Sequence, residues 1–186
     1  MRFRKNMDFI HSFFGFGKEK DSMNKFIKFI KNPIKFFERN KEKEESLLDV
    51  LSFIYRIKAT FDFLLSILIF GKMTEIIIIG YILVFLFAKI IAIVTLFFYS
   101  PILNYFVDLF SNKSNILAAK RIVTYVFSVN LLLSIIPSIS FLTILFTVPL
   151  ESIGIWKQYK LSFTNSLFIS SIKTGIIVLI LWLLSL

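Results

Sequence analysis

The chain has no cysteine among its 186 residues, which removes disulfides, thiolate metal sites and thiol nucleophiles from consideration. It has one histidine, His11, set among phenylalanines. One imidazole makes no histidine metal cluster, and acid–base work needs a positioned partner that is not found near His11 in the sequence; His11 reads as structurally incidental. The sequence contains no G-x-x-x-x-G-K-[ST] phosphate loop, no G-x-G-x-x-G and no H-E-x-x-H. It also has no G-x-S-x-G nucleophile elbow and no pair of intramembrane aspartates of the kind an aspartyl protease needs. The expectation is a protein that is not an enzyme, with no catalytic, cofactor-binding or metal-ligating residues and no cofactor. The basic start Met1 to Asn6 is followed by a short apolar stretch that Asp8 and His11 interrupt and Gly15, Gly17 and Lys18 end. No small-x-small pattern follows, so a cleavable signal peptide is not expected.

Charge is missing over long stretches. No charged side chain occurs from Ile122 to Leu150, and between residues 76 and 107 the only one is Lys89. A membrane span needs roughly 20 mostly apolar residues. Neither run carries the polar face of an amphipathic surface helix. Hydrophobic residues make up 56% of the chain, above the roughly one half of a soluble domain, and the remainder is too short and too charged to cover these runs. The fold class is therefore all-α, a polytopic transmembrane helix bundle of about five spans with an amphipathic N-terminal arm.

Two parts are expected: a basic arm over residues 1–45 and a five-helix transmembrane domain over 46–186. Residues 1–45 hold 12 Lys+Arg and 7 Asp+Glu. From Ser22, a plausible N-cap, Met23, Phe26, Ile27, Ile30 and Ile34 follow helical spacing, with Lys25, Lys28 and Lys31 on the opposite side. That pattern suits a helix lying in the headgroup boundary. Phe26, Ile27, Ile30, Lys25, Lys28 and Lys31 are accordingly the expected lipid or partner surface. The same apolar face would equally serve to dock the helix onto the bundle. Pro33 breaks this helix or opens the next, and the charge run from Glu38 to Glu45 reads as a solvated stalk.

The spans read as 46–70, 75–99, 116–136, 138–156 and 166–186, with a turn at Gly71 to Thr74, a break at Ile136-Pro137, and a partly polar connection over 102–116. Four spans, with Ile122 to Trp156 as one long kinked helix, is the alternative. Lysines and arginines in short loops set orientation. With five spans the arm, the loop of Lys113, Lys120 and Arg121, and the loop of Lys157 and Lys160 share one side. With four, the last loop crosses over. Five spans with a cytoplasmic N-terminus and an outside C-terminus, in the cell membrane, is the consistent solution. Positive-inside sorting and anionic headgroups also account for the net charge of +10, so no nucleic-acid partner is expected. The expected partners are the lipid bilayer and a membrane protein or a second copy of the chain.

Intramembrane charges are functional candidates by default. Three are singled out: Lys89, Glu151 and Asp62. Counted from Phe98 at about 1.5 Å per residue, Lys89 lies roughly 13 Å deep and is expected to face the bundle. Glu151, roughly 8 Å deep, is a better depth match for it than Asp62, which is over about 20 Å deep. Lys58 and Asp62 are spaced to pair on one helix face, and Lys173 is read as a snorkelling structural lysine. Ser166, Ser170 and Thr174, and Ser171 with Gly175, form small-residue stripes that favour close helix approach. Asn130 offers an interhelical hydrogen bond.

Asn32-Pro33-x-x-Phe36-Phe37-Glu38, a charged stalk and then a first span resemble the entry to prokaryotic members of the YIP membrane-domain family, named for Ypt/Rab-GTPase-interacting proteins. The later order of Lys120, Tyr125, Pro137, Gly154 and Lys160-Leu161-Ser162 is also similar, and the resemblance covers residues 31–186. It implies a five-helix bundle with a cytoplasmic N-terminus. Eukaryotic relatives act in vesicle trafficking and bind prenylated GTPases. The Gly-Pro-containing motif ahead of their first span has no counterpart here, and the resemblance supplies no activity. The functional expectation is a membrane-organising or partner-binding scaffold; a small solute transporter or channel is the alternative.

Overall fold

A computed structural model describes residues 19–39, 42–70, 75–135 and 143–185. Among them the chain is all-α, with seven helices and no strand. They are α1 (Glu19–Lys31), α2 (Pro33–Arg39), α3 (Glu44–Phe70), α4 (Glu75–Ser111), α5 (Ile116–Leu133), α6 (Thr143–Tyr159) and α7 (Phe163–Leu184). His11, the Gly71 to Thr74 turn, the Ile136-Pro137 break and Leu186 lie outside the described residues.

Three helices, α4, α5 and α7, are long and apolar enough to cross a membrane. α3 is longer than a span requires, at 27 residues, but carries Asp49, Arg56, Lys58 and Asp62 along its length. α6 has 17 residues, at the lower edge of spanning length. α4 and α7 turn large apolar side chains outward, Phe97, Phe98, Leu179 and Leu183 among them, as is compatible with helices surrounded by lipid.

Several helix boundaries differ from the sequence reading. Ser22 lies inside α1 (Glu19–Lys31) and is buried rather than capping it. Pro33 takes the first position of α2, where no intrahelical N–H is needed, and Asn32 Oδ1 accepts from the Lys35 amide at 3.0 Å. The expected connection over 102–116 is mostly helix. α4 continues through Pro101 to Ser111, because the proline removes one donor while Leu96, Leu103 and Val107 stay buried on both sides of it. Asn112 then turns the chain at φ 51°, in the left-handed region that asparagine tolerates, and the Asn115 side chain caps α5.

α5 and α6 are not one long helix. Ser134 closes α5, and the two run antiparallel side by side: Thr147 Oγ1 donates to Asn130 Oδ1 at 2.9 Å and Arg121 Nη1 to Gln158 Oε1 at 3.3 Å. The start of α3, the end of α4, the start of α5, the end of α6 and the start of α7 meet at one end of the bundle. α1 packs there on α3, and α2 on α6. The core concentrates at this capped end, where Phe29, Phe37, Leu47, Leu51, Ile54, Ile122, Tyr125, Ile155 and Ile169 are all at most 1% exposed.

Candidate functional site

At the capped end an aromatic cluster fixes the arm. Phe29 lies 5.5 Å from Phe36, 5.4 Å from Phe37 and 5.1 Å from Tyr125, centroid to centroid. Phe36 meets Tyr125 edge-on at 4.5 Å, a favourable ring geometry. The Tyr125 hydroxyl donates to Glu42 Oε2 at 2.6 Å. Arg121 donates to the Glu42 carbonyl through Nε (3.1 Å) and Nη2 (2.9 Å). Gln158 Nε2 donates to the Phe37 carbonyl. Lys120–Glu44 at 2.6 Å and Lys157–Glu38 at 3.3 Å add ion pairs at the rim, so the acidic run of the stalk is bound to the bundle rather than only to water. Phe36, Phe37, Lys120, Tyr125 and Gly154, distant in sequence, thus gather in one place.

Gly154 is there because the chains approach closely. A Cβ on it would stand 2.8 Å from Ile122 Cγ1, 3.0 Å from Ile122 Cγ2 and 3.3 Å from Phe37 Cζ. Gly154→Ala is expected to lower bundle stability by about 1–3 kcal/mol through overpacking. Gly175, whose added Cβ would have nothing within 4 Å, is the comparison: Gly175→Ala is expected to be neutral or stabilising. Thermal unfolding of both variants in detergent checks this, and an unaffected midpoint in Gly154→Ala would count against the tight fit.

The arm surface differs from the expected one. At about 100° per residue, Ser22, Phe26 and Phe29 form one stripe of α1, and all three are buried. Phe26 therefore belongs to the docked face. Lys25 likewise turns inward, donating to Ser46 Oγ at 2.6 Å with Glu42 at 3.7 Å. Ile27, Ile30, Lys28 and Lys31 stay exposed, as do Met23 and Ile34. The reason is Phe29, which lies outside the apolar stripe that helical spacing picks out: its ring pulls the docking face around and leaves Met23, Ile27 and Ile30 as a separate outward ridge beside Lys28 and Lys31, while Ile34 falls in α2.

The charged candidates are brought into three pairs. Lys89 Nζ lies 3.6 Å from Asp49 Oδ1, so its partner is not Glu151. The depth count passes over Asp49, which stands five residues inside α3. Glu151 Oε2 instead receives Lys173 Nζ at 2.5 Å, both side chains being nearly buried at 5% and 11% exposure. The sequence carries a signal for that pair: the two residues stand ten before and twelve after Leu161 in a helical hairpin. Asp62 holds Lys58 at 2.5 Å. Arg56, which in the sequence is only a costly charge of the first span, is buried, 3.4 Å from Glu19 Oε1 and 5.5 Å from the Phe85 ring centre. Ser166 and Ser170 are buried as packing residues, whereas Ser171 and Gly175 face outward.

Two cavities lie beyond the buried layer. One, of about 530 Å³, is lined by α3, α4 and Leu131 of α5, with Lys58, Asp62, Ser66 and Tyr81 on its wall. The other, of about 360 Å³, lies among α4, α5, α6 and α7 and is lined by Asn130, Thr147, Glu151, Lys173 and Thr174. The fully buried Ile122, Ile155 and Ile169 stand one turn nearer the capped end than its lining residues Val126, Glu151 and Lys173. Among the described residues, no group of three or more His, Cys, Asp or Glu is placed to hold a metal ion. Compared as a whole, the chain matches no family model, no curated protein and no solved structure.

Proposed function

We propose that the chain is a multi-pass membrane protein that works as a non-enzymatic scaffold, holding an apolar and basic ridge at the membrane surface for lipid headgroups or a membrane-protein partner. The observation that carries this reading is the division of α1 into two faces. Phe26 and Phe29 are buried against the bundle while Met23, Ile27 and Ile30 stay exposed. A docked helix that keeps a second apolar ridge beside lysines has the composition of an interfacial helix, already positioned by its other face. The convergence of Phe36, Phe37, Lys120, Tyr125 and Gly154 supports the similarity to prokaryotic YIP membrane-domain proteins. The transporter alternative draws on the two polar-walled cavities, but the buried layer of Ile122, Ile155 and Ile169 separates the second from the capped end, which favours the scaffold.

The ridge is tested in the full chain. Because there is no native cysteine, a cysteine at Ile30 carries an environment-sensitive fluorophore uniquely. In vesicles with anionic lipid its emission is expected to shift to the blue and to return partway at high salt, since each lysine near an anionic surface contributes about 1 kcal/mol that salt screens. A label at Asn24, on the lysine side, should stay water-exposed. Equal spectra at both positions in anionic and zwitterionic vesicles would sink the surface role.

The topology in this reading is five spans, α3 to α7, with the capped end in the cytoplasm and the C-terminus outside. Lys113, Lys120, Arg121, Lys157 and Lys160 gather at that end with the arm, which is the arrangement the charge rule favours. A reporter active only in the cytoplasm, fused after Leu186, is expected to be silent. Strong activity there would overturn the five-span arrangement.

A further inference from the structure

The cavity of about 360 Å³ among α4, α5, α6 and α7 combines three properties that a packing defect does not need. It holds a nearly buried ion pair, Glu151 with Lys173, one turn beyond the buried Ile155 and Ile169. Glu151 Oε1 has no hydrogen-bond partner although the residue is 3% exposed. The Ser170 hydroxyl is near enough to interact with the carboxylate, but it donates to the Val148 carbonyl at 3.4 Å. A buried acceptor left open is costly, and such groups are ordinarily satisfied. Finally, the lining residues Tyr99 and Ile102 of α4 and Val178 of α7 are exposed, on two helices that touch nearer the capped end through Phe110 and Phe168 at 5.6 Å.

The chemistry of an occupant follows from these walls. Glu151 and Lys173 neutralise each other, so a charged head would leave an uncompensated charge in a low-dielectric site. The open Glu151 oxygen asks for a donor. The Lys173 ammonium has three N–H groups, of which the Glu151 bond uses one, so the site also offers donors. A hydroxyl is the small neutral group that donates and accepts at once. The mouth opens sideways between apolar residues of two helices that are long and apolar enough to lie in a bilayer, so entry is from the acyl region and the ligand carries an apolar chain. The volume falls within the usual range of small-molecule pockets and takes a head and the first methylenes, not a whole lipid.

We propose that this cavity is a binding site for a neutral, hydroxyl-headed, long-chain amphiphile that enters from the bilayer between α4 and α7, its hydroxyl seated on the Glu151–Lys173 pair and its chain leaving past Tyr99 and Val178. The site rests on the membrane-embedded reading of these helices but not on the scaffold role. Asn130 and Thr147, bonded to each other at 2.9 Å, form the polar wall opposite the apolar exit.

The test uses the full chain in lipid nanodiscs and a long-chain primary alcohol bearing a diazirine near its hydroxyl. Photolabelling is expected to saturate, to map to Thr147, Thr174 or Ile177 beside the ion pair, and to be competed at least tenfold better by hexadecanol than by methyl palmitate, which has the chain but no donor. Glu151→Leu with Lys173→Leu is expected to keep the fold and lose labelling at least tenfold. Val178→Trp, which blocks the mouth and leaves the ion pair alone, is expected to lose it as well. Labelling that rises without saturation, equal competition by the ester, or full labelling of Val178→Trp would overturn the proposal. A chain released from membranes by alkaline carbonate would instead overturn the membrane reading itself.

Discussion

Glu151→Ala is expected to destabilise the bundle by about 3–5 kcal/mol, because it leaves the Lys173 ammonium buried without its counter-charge. Lys173 Nζ is held by Glu151 Oε2 at 2.5 Å, and the two side chains are 11% and 5% exposed. Glu151→Gln keeps the shape and one hydrogen-bond acceptor but not the charge, and should lose most of the same stability. The decisive comparison is the double replacement Glu151→Leu with Lys173→Leu. Apolar residues of similar volume often match or exceed a buried ion pair, so the double variant should recover nearly all of the loss. Unfolding by titration with sodium dodecyl sulfate in mixed micelles measures each step. A loss under about 1 kcal/mol in Glu151→Ala would be the figure for an exposed surface pair, and would mean that the pair is not sequestered as the geometry places it.

The apolar runs make the helices legible in the sequence, because a long uncharged stretch has few alternatives to a helix in lipid. The arrangement of charges within them is less legible. Lys58 and Asp62 lie on one helix, where spacing alone decides that they meet, and they do. Lys89–Asp49 and Glu151–Lys173 join different helices, so their pairing depends on helix bounds and on which helices are neighbours. Depth counted from Phe98 does not pick out Asp49, which lies 3.6 Å from Lys89, because depth alone does not say which helices are neighbours. Pro101 has the character of a stop signal, and the buried Leu103 and Val107 beyond it override that signal through packing.

The arm shows the same limit in a second form. A single apolar stripe read from periodicity merges two faces that the fold separates, because periodicity does not say which edge of a wide stripe finds aromatic partners. Phe26 and Phe29 find them; Ile27 and Ile30 do not. The acidic run from Glu38 to Glu45 reads as solvated because its partners on the bundle, Lys120, Arg121, Tyr125 and Lys157, lie more than 70 residues away along the chain.

Phe29→Ala is expected to release the arm from the bundle. Phe29 is 1% exposed, and its ring touches Phe26, Phe36, Phe37 and Tyr125 at centroid distances of 6.3, 5.5, 5.4 and 5.1 Å. Truncating a buried phenylalanine removes about 3–5 kcal/mol. Here the loss appears first as local opening, because a peripheral helix undocks at lower free energy than the whole bundle unfolds. At about 1.4 kcal/mol per factor of ten, cleavage by trypsin at Lys25, Lys28 and Lys31 should accelerate by roughly a hundredfold or more, up to the rate of a free arm. The lysine-rich peptide should be cut while α5 and α7 remain intact. Ile30→Ala, on the outward ridge at 56% exposure, is expected to leave trypsin sensitivity unchanged, since exposed substitutions stay within about 0.5 kcal/mol. Its effect should fall on association of the ridge with anionic vesicles. The two substitutions stand one residue apart, so equal protease sensitivity in both would show that α1 has no distinct docked face, and the division on which the scaffold reading depends would fail.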